Sequence, residues 1–378
     1  MLFILLYFRA SSKGFSKVIE EAELQGRHAC AWHERGEHWM RHSSNIAAAH
    51  KRKKRERNTV PLILCGHGVS LRIRHGALVI RDGFTHYPQK QKTYCFFPRD
   101  LDLPPRIMLL DGSGSLSFDV LTWLSQQGVS LARVSWTGEV AAVTNGNGFA
   151  GDPDKLRWQQ ETLTDPNRKF SFATDVIRRK LIASLQTLEE QVPRSPARDI
   201  ARSKALNGIE RLASESFAEM NDIFALEGEC ASFYFAAWHA LQLRWTGLSR
   251  RPVPDSWHTY SGRASLANGG RKVNRDASHP VNAILNYAYA VKLSALQMQS
   301  IADGYDPTIG IMHVSGPGKP AFLLDLIEPE RPKVDAEVLR LIRQQPLASA
   351  DFVILPNGSC RLSPQFARNV ATLVLTGS

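Results

Sequence analysis

The chain has 378 residues, 43% of them hydrophobic, a formal charge of +11 and five scattered cysteines. That composition excludes a disordered polymer and leaves room for two ordinary cores. An odd cysteine count without a C-x-x-C pair excludes a disulfide framework or zinc knuckle, and no apolar run approaches the ~20 residues that cross a bilayer. The expectation is a cytoplasmic protein with no membrane partner. The charge is uneven: residues 1–57 carry +6 and the remaining 321 only +5. Local patches, rather than net charge, must carry any nucleic-acid argument.

In chain order, residues 1–57 hold five of the twelve histidines (His28, His33, His38, His42 and His50) and end in the run Lys51-Arg52-Lys53-Lys54-Arg55-Glu56-Arg57. Such a run is usually solvated, and the histidine spacing matches no standard ligand pattern. The segment reads as a poorly ordered basic leader, ahead of a metal site or a nucleic-acid-binding arm. From 58 to 148 the chain is β-rich. Val60–Leu64, Val69–Ile73, Ala77–Ile80, Arg106–Leu110 and Val129–Ser135 are expected strands, punctuated by glycines. Asp111–Gly114 reads as a turn, and Phe118–Gln127 as a helix stopped by Gly128. Gly146–Pro153 is a break, and from 149 to 378 the period becomes helical. Helices are expected over Phe172–Glu190, Val281–Ala302 and Asp335–Gln344. Ala197 to about Leu243, with no proline after Ala197, reads as one long helical stretch. The fold class is thus α+β: a small β-rich N-terminal domain followed by a larger all-helical domain.

Three segments carry chemistry. On the stretch Ile209–Trp238, apolar residues recur at three and four positions, and Glu227 falls in that stripe while Glu229 falls off it. A carboxylate on an apolar face needs a cation or strong donors, so Glu227 fits a metal ligand and a buried pair with an arginine equally well. Gly228 beside it leaves room for an approaching group. The turn Gly304-Tyr305-Asp306-Pro307 presents His313 after a short apolar run, where a lone histidine is more often structural than a ligand. In Phe322–Glu328, Asp325 and Glu328 share one helical face. They fit a divalent cation, although a solvated acidic edge is the commoner meaning of such a pair.

Taken together, the glutamate-glycine on a long helix, Pro280-Val281-Asn282-Ala283-Ile284-Leu285-Asn286-Tyr287, the G-Y-D-P-x-x-G-x-x-H element and the D-L-x-E-P-x-R-P element resemble the CRISPR adaptation integrases, over roughly residues 58–378. The resemblance implies a metal site of Glu227, His313 and Glu328, with Asp325 as a neighbouring acid needed for activity. It implies Mn²⁺ or Mg²⁺ as cofactor, a homodimer formed through the β-rich domain, double-stranded DNA as substrate, and a small second universal Cas protein bridging two dimers. The expected reaction joins a spacer 3′-hydroxyl to the repeat array by phosphodiester transfer. Residues 1–57 have no counterpart in the usual family plan, and Ser278-His279 stands where an acidic residue is common.

Between the glutamate and histidine elements lie Arg244, Arg250, Arg251, Arg263, Arg271, Lys272 and Arg275, interleaved with Trp245, Trp257 and Tyr260. Cations for phosphates and aromatics for bases suit DNA with frayed ends, although a solvated loop with a few packed aromatics reads the same way. Arg178-Arg179-Lys180 is a second basic cluster, and Asn282 is a further candidate DNA contact. A transposon-type integrase, a repair nuclease of the same superfamily and a catalytically silent DNA-binding scaffold stay open as other readings, and a small-molecule metallohydrolase leaves the basic segment unexplained.

Overall fold

The computed structural model describes residues 31–45, 56–86, 89–135, 140–144, 151–214, 217, 219–239, 241–248, 252–263, 265–266, 272–273, 277–313 and 320–376. Helix α1 covers 31–45. A six-stranded sheet follows, from β1 (Leu62–Arg74), β2 (Ala77–Arg81), β3 (Thr93–Phe96), β4 (Arg106–Leu116), β5 (Ser130–Val134) and β6 (Val140–Thr144), in the order β3-β2-β1-β4-β5-β6. The central pairs β1–β4 and β4–β5 are parallel and the outer pairs antiparallel.

Two expected strands prove to be one. Val60–Leu64 and Val69–Ile73 merge into β1 because Gly66 and Gly68 take φ of +87° and +81°, and the register against β4 shifts on either side of His67. These are bulges, which bend a strand without ending it. The turn expected at Asp111–Gly114 is the matching irregularity in β4, which runs on to Leu116. A Cβ at Gly112 would lie 1.9 Å from the Gly66 carbonyl oxygen, so only glycine lets the strands pass there. Helix α2 (Phe118–Gln127) forms as expected, closed by Gly128 in the left-handed conformation. It packs Val120 and Leu124 on Leu64, Ile80 and Ile107 of the sheet.

The helical part comprises α3 (Pro153–Thr164), α4 (Pro166–Gln191), α5 (Pro196–Ser214), α6 (Met220–Ala236), α7 (Pro280–Ala302), α8 (Ala321–Ile327), a 3₁₀ turn (Glu328–Glu330), α9 (Arg331–Gln344) and α10 (Pro364–Thr376). Residues 197–243 are not one helix. Helix α5 stops at Ser214, and α6 restarts at Met220, where the Asp222 side chain accepts the Glu219 backbone N–H. Neither proline nor glycine marks that break. Two short hairpins, β7 (Ser265–Leu266) with β8 (Lys272–Val273) and β9 (Phe352–Ile354) with β10 (Cys360–Leu362), interrupt an otherwise helical domain.

The two parts share a core. Ile63, Cys65, Met108, Leu110 and Val134 from the sheet join Val281, Ile284, Leu285 and Ala288 of α7 and Phe366 and Val370 of α10. A buried ion pair, Arg368 to Asp82 at 2.5 Å, crosses the same boundary. The segment read as a basic leader departs from that reading over residues 31–45. Trp39 of α1 is fully buried against Phe366, its indole N–H donates to Asp351 at 2.7 Å, and Arg35 pairs with the same carboxylate at 2.9 Å. An amphipathic face with a tryptophan explains the docking, and the flanking charge run masked it. Residues 1–30, and 51–55 of the basic run, lie outside the described residues. Among the described residues no helix is long and apolar enough to cross a membrane.

Candidate metal centre

Helix α4 starts at Pro166 behind Asp165, whose carboxylate accepts from the Asn167 and Arg168 N–H groups, so a proline at the first turn and a capping acid fix its origin. Its buried face runs Val176, Ile177, Leu181 and Ser184. Lys180 belongs to that face, three residues after Ile177 and four before Ser184. Helices α5 and α6 close on it. A Cβ at Gly208 would lie 2.9 Å from Leu181 and 3.0 Å from Cys230. Glu227 of α6 then meets Lys180, whose ammonium donates to Glu227 Oε1 and, at 2.5 Å, to Glu328 Oε2. Arg331 Nε reaches the other oxygen of Glu328 at 3.2 Å. Burial alone would raise the Glu328 carboxyl, but the Arg331 and Lys180 charges outweigh it and hold the group below its usual range. Both glutamates thus face a single positive group. Glu229 points away and pairs with Lys204 at the surface. A side chain at Gly228 would meet nothing within 4 Å, so that glycine leaves open space rather than relieving a clash.

His313 is placed by its own motif. The fully buried Gln159 of α3 donates to the Asp306 and Ile309 carbonyls and accepts the Asp306 N–H, at 2.9, 3.1 and 2.9 Å. Gly310 has no room for a Cβ, which would sit 2.5 Å from that of Ala321. Asp325, fully buried on α8, accepts the backbone N–H groups of Ile311, Met312 and His313 at 2.6–3.1 Å. It also faces His313 Nδ1 at 2.7 Å. A carboxylate with four donors has no capacity left for another ligand role. Since Asp325 accepts, Nδ1 is the protonated nitrogen, and Nε2 carries the lone pair of the neutral ring.

The three expected ligands do not close on one another. Among the described residues, three ligand atoms of His, Cys, Asp or Glu lie within 4.8 Å of one another at His33, Glu37 and His86, and not at Glu227, His313 and Glu328. The Lys180 ammonium stands between the two glutamates, where the cation was expected. The donor set nonetheless fits a divalent ion. Two carboxylates already share one positive group, and the imidazole is fixed in the tautomer that a metal requires.

A cavity of about 180 Å³ beside Glu227 is lined by Lys180, Arg263, Arg331, Tyr289 and Asp335. Arg263 reaches Asn286 Oδ1 at 2.8 Å and Asn282 Oδ1 at 3.4 Å, and its guanidinium lies over Tyr289. Asn282, expected to touch DNA, is instead buried; its amide donates to the Gly262 carbonyl and so seats the Arg263 loop. Two asparagines spaced i, i+4 on α7 thus serve as a clamp for one arginine. Arg178 and Arg179 are exposed and both pair with Asp175, at 3.2 and 2.9 Å. Arg244 is exposed and donates to the Arg343 carbonyl. Arg250, Arg251, Arg271 and Arg275 lie outside the described residues, and Lys272 is described only as part of β8. Lys180 and Arg331 are side chains of the candidate site that sequence reasoning passed over. Lys180 was grouped with its exposed neighbours, although its spacing from Ile177 and Ser184 marks the buried face. Arg331 stood in the quoted D-L-x-E-P-x-R-P element without a role.

Residues 62–375 match the family model described as CRISPR associated protein Cas1. A CRISPR-associated endonuclease Cas1 of Pyrobaculum aerophilum is 30% identical over 72% of this chain and 79% of its own. One from Korarchaeum cryptofilum is 25% identical over 75% and 77%. Three solved structures share the fold. A casposase bound to integration product has a TM-score of 0.66 at 22% identity, over 84% of this chain and 82% of that one. A Cas1 protein from Thermotoga maritima has a TM-score of 0.60 at 14% identity, over 83% and 90%. A Cas6-RT-Cas1–Cas2 complex has a TM-score of 0.60 at 16% identity, over 86% of this chain and 33% of that one. With its β-sheet and helical parts and a family match over more than three hundred residues, the chain belongs to the Cas1 family of CRISPR-associated proteins.

Proposed function

We propose that this protein is a divalent-metal-dependent DNA endonuclease and integrase of CRISPR spacer acquisition, joining spacer 3′-hydroxyl ends to the repeat array by phosphodiester transfer. The observation that carries the reading is the convergence of Glu227 and Glu328 on one cationic group, with His313 held in a metal-ready tautomer by Asp325. Glu227, Glu328 and His313 Nε2 would hold the ion, with the Lys180 ammonium displaced. The mixed nitrogen and oxygen set suits Mn²⁺ better than Mg²⁺. When bound, the ion would polarise the phosphoryl oxygen and favour the deprotonated nucleophile.

The chain's own residues do the rest. Asp325 fixes the imidazole through Nδ1. Arg331, ion-paired with Glu328 and lying over Tyr289, keeps that carboxylate ionised. Arg263 and Arg331 border the cavity as cations for the phosphates flanking the scissile bond, where positioning and charge supply most of the acceleration. Partners are double-stranded DNA, a second copy of this chain, and a small Cas2-type protein such as the one in the solved complex.

The test is an integration assay with a 3′-hydroxyl duplex, a supercoiled repeat-bearing plasmid and Mn²⁺, with and without the small partner. Glu227→Ala, His313→Ala and Glu328→Ala should each lower strand joining by about 10³-fold or more, with circular dichroism unchanged. Full activity in any folded single variant would remove that residue from the site. A donor requirement for terminal inverted repeats would favour the transposon-type reading. Tight DNA binding without joining in any metal would favour the scaffold.

A further inference from the structure

A second cluster, independent of the centre above, lies where α1 meets the loop after β2. One nitrogen each of His33 and His86 and a carboxylate oxygen of Glu37 lie within 4.8 Å of one another. His33 and Glu37 are spaced i, i+4 and share one face of the helix, and Gly36 between them opens it. A Cβ at Gly36 would meet the His86 ring at 2.6 Å. The His86 side chain is 2% exposed and that of Glu37 33%.

Hydrogen bonding decides what the cluster wants. The Gln89 side-chain oxygen accepts the Thr85 backbone N–H at 2.7 Å, so it is an acceptor. The Thr85 hydroxyl has one proton and two amide oxygens to give it to, Gln89 Oε1 at 2.8 Å and Gln365 Oε1 at 3.2 Å, so it donates away from His86. That leaves it only lone pairs to offer His86 Nδ1 at 3.0 Å, which makes Nδ1 the N–H of His86. The other nitrogen, Nε2, then bears a lone pair in the neutral ring, yet it faces Glu37 Oε1 at 2.9 Å. Two acceptors at that distance repel unless a cation joins them. A second proton on His86 would satisfy that pair alone. It would not account for His33, whose ring stands 5.4 Å from that of His86 and whose buried Nδ1 has no partner.

We propose that His33, Glu37 and His86 form a zinc-type cation site that clips α1 to the β-rich domain. Two imidazoles and one carboxylate are a standard zinc donor set, with water as the fourth ligand. The partial exposure of Glu37 leaves a side open for that water. Thr85 is the outer hydrogen-bond partner that sets the tautomer and aim of His86.

The experiment uses the tag-free full chain, stripped with chelator, in a Glu227→Ala/Glu328→Ala background that removes competing uptake. Calorimetry with Zn²⁺ alone should show one ion per chain, and Zn²⁺ should raise the melting temperature. His33→Ala and His86→Ala should each weaken uptake about 100-fold, and Thr85→Val about tenfold. Glu37→Gln, at a partly exposed position, keeps the test valid should a histidine variant fail to fold. The proposal is overturned by no uptake, or by uptake in His33→Ala and Glu37→Gln that equals that of the parent background. It is also overturned by melting that responds to pH through Glu37 but not to zinc, the signature of an imidazolium–carboxylate pair.

Discussion

Lys180 separates a salt bridge that exists for stability from one that holds the place of an ion. Its ammonium neutralises Glu227 and Glu328 together, and both carboxylates are mostly buried. Removing it without a replacement cation leaves two like charges facing each other in a low-dielectric pocket, a loss of about 3–5 kcal/mol for a buried pair. If Lys180 stands where a divalent ion binds, the ion should repair that loss. Lys180→Met is therefore expected to melt well below wild type in chelator and to regain most of the difference on adding Mn²⁺. Wild type, which must first displace its own lysine, should gain less. Thermal melts of both proteins with and without Mn²⁺ measure this, and equal shifts would make Lys180 a plain structural partner. The same residue shows where sequence reasoning stops. Glu227, His313, Asp325 and Glu328 stood out as candidates because rare residue types sit in spaced motifs. That Asp325 is saturated by three backbone N–H groups and an imidazole was not, since those bonds depend on how the chain turns at Gly310. Asn282 failed for a related reason, because polarity in a motif does not say whether the group faces solvent or a neighbouring carbonyl.

At the scale of elements, periodicity located helices α2, α4, α7 and α9 but not the gap between α5 and α6. Residues 215–219 contain no proline or glycine, so nothing in composition forbids helix there. The break is fixed by capping at Glu219 and by α6 packing back across α4. Glycines in β1 and β4 misled in the opposite sense. They read as turns, whereas positive φ at Gly66, Gly68 and Gly112 serves bulges in long strands. Helix α1 is the element whose importance was least visible, because charge on both sides of it suggested a solvated arm. Its anchor is one side chain. Trp39 is fully buried, packs on Phe366 and donates to Asp351, which also holds Arg35. Trp39→Ala should cost about 3–5 kcal/mol in urea denaturation at neutral pH, through lost burial and a cavity. A cost below about 0.5 kcal/mol, the range of surface substitutions, would mean that α1 rests on the domain without stabilising it.

Across the whole molecule, helices α6, α7 and α9 are tied together by a buried polar node rather than by apolar packing alone. Asp335 of α9 accepts from Tyr234 of α6 at 3.0 Å and from Tyr289 of α7. Arg263 and Arg331 both lie over Tyr289, close enough to act on the same carboxyl. Burial pushes the Asp335 pKa up to about 6, against the lowering effect of the two tyrosine hydrogen bonds and the two arginines. The sign of the consequence follows from proton counting. Between pH ~4 and ~6 the unfolded chain has released this proton while the folded protein keeps it, so the folded state binds more protons and stability falls as pH rises. Below that window both states are protonated, and above it both are ionised and the penalty is constant. A rise of about two units corresponds to about 3 kcal/mol. Asp335→Asn keeps the shape and an acceptor for one tyrosine but cannot ionise. The difference in unfolding free energy between variant and wild type should therefore grow in the variant's favour from pH 4 to pH 6 and level off above. Urea titrations at half-unit pH intervals read that difference directly, and because other acids titrate equally in both proteins, they cancel. A difference that stayed flat across the window would show that Asp335 is ionised in the folded protein throughout, with the two arginines rather than the two tyrosines as its decisive partners.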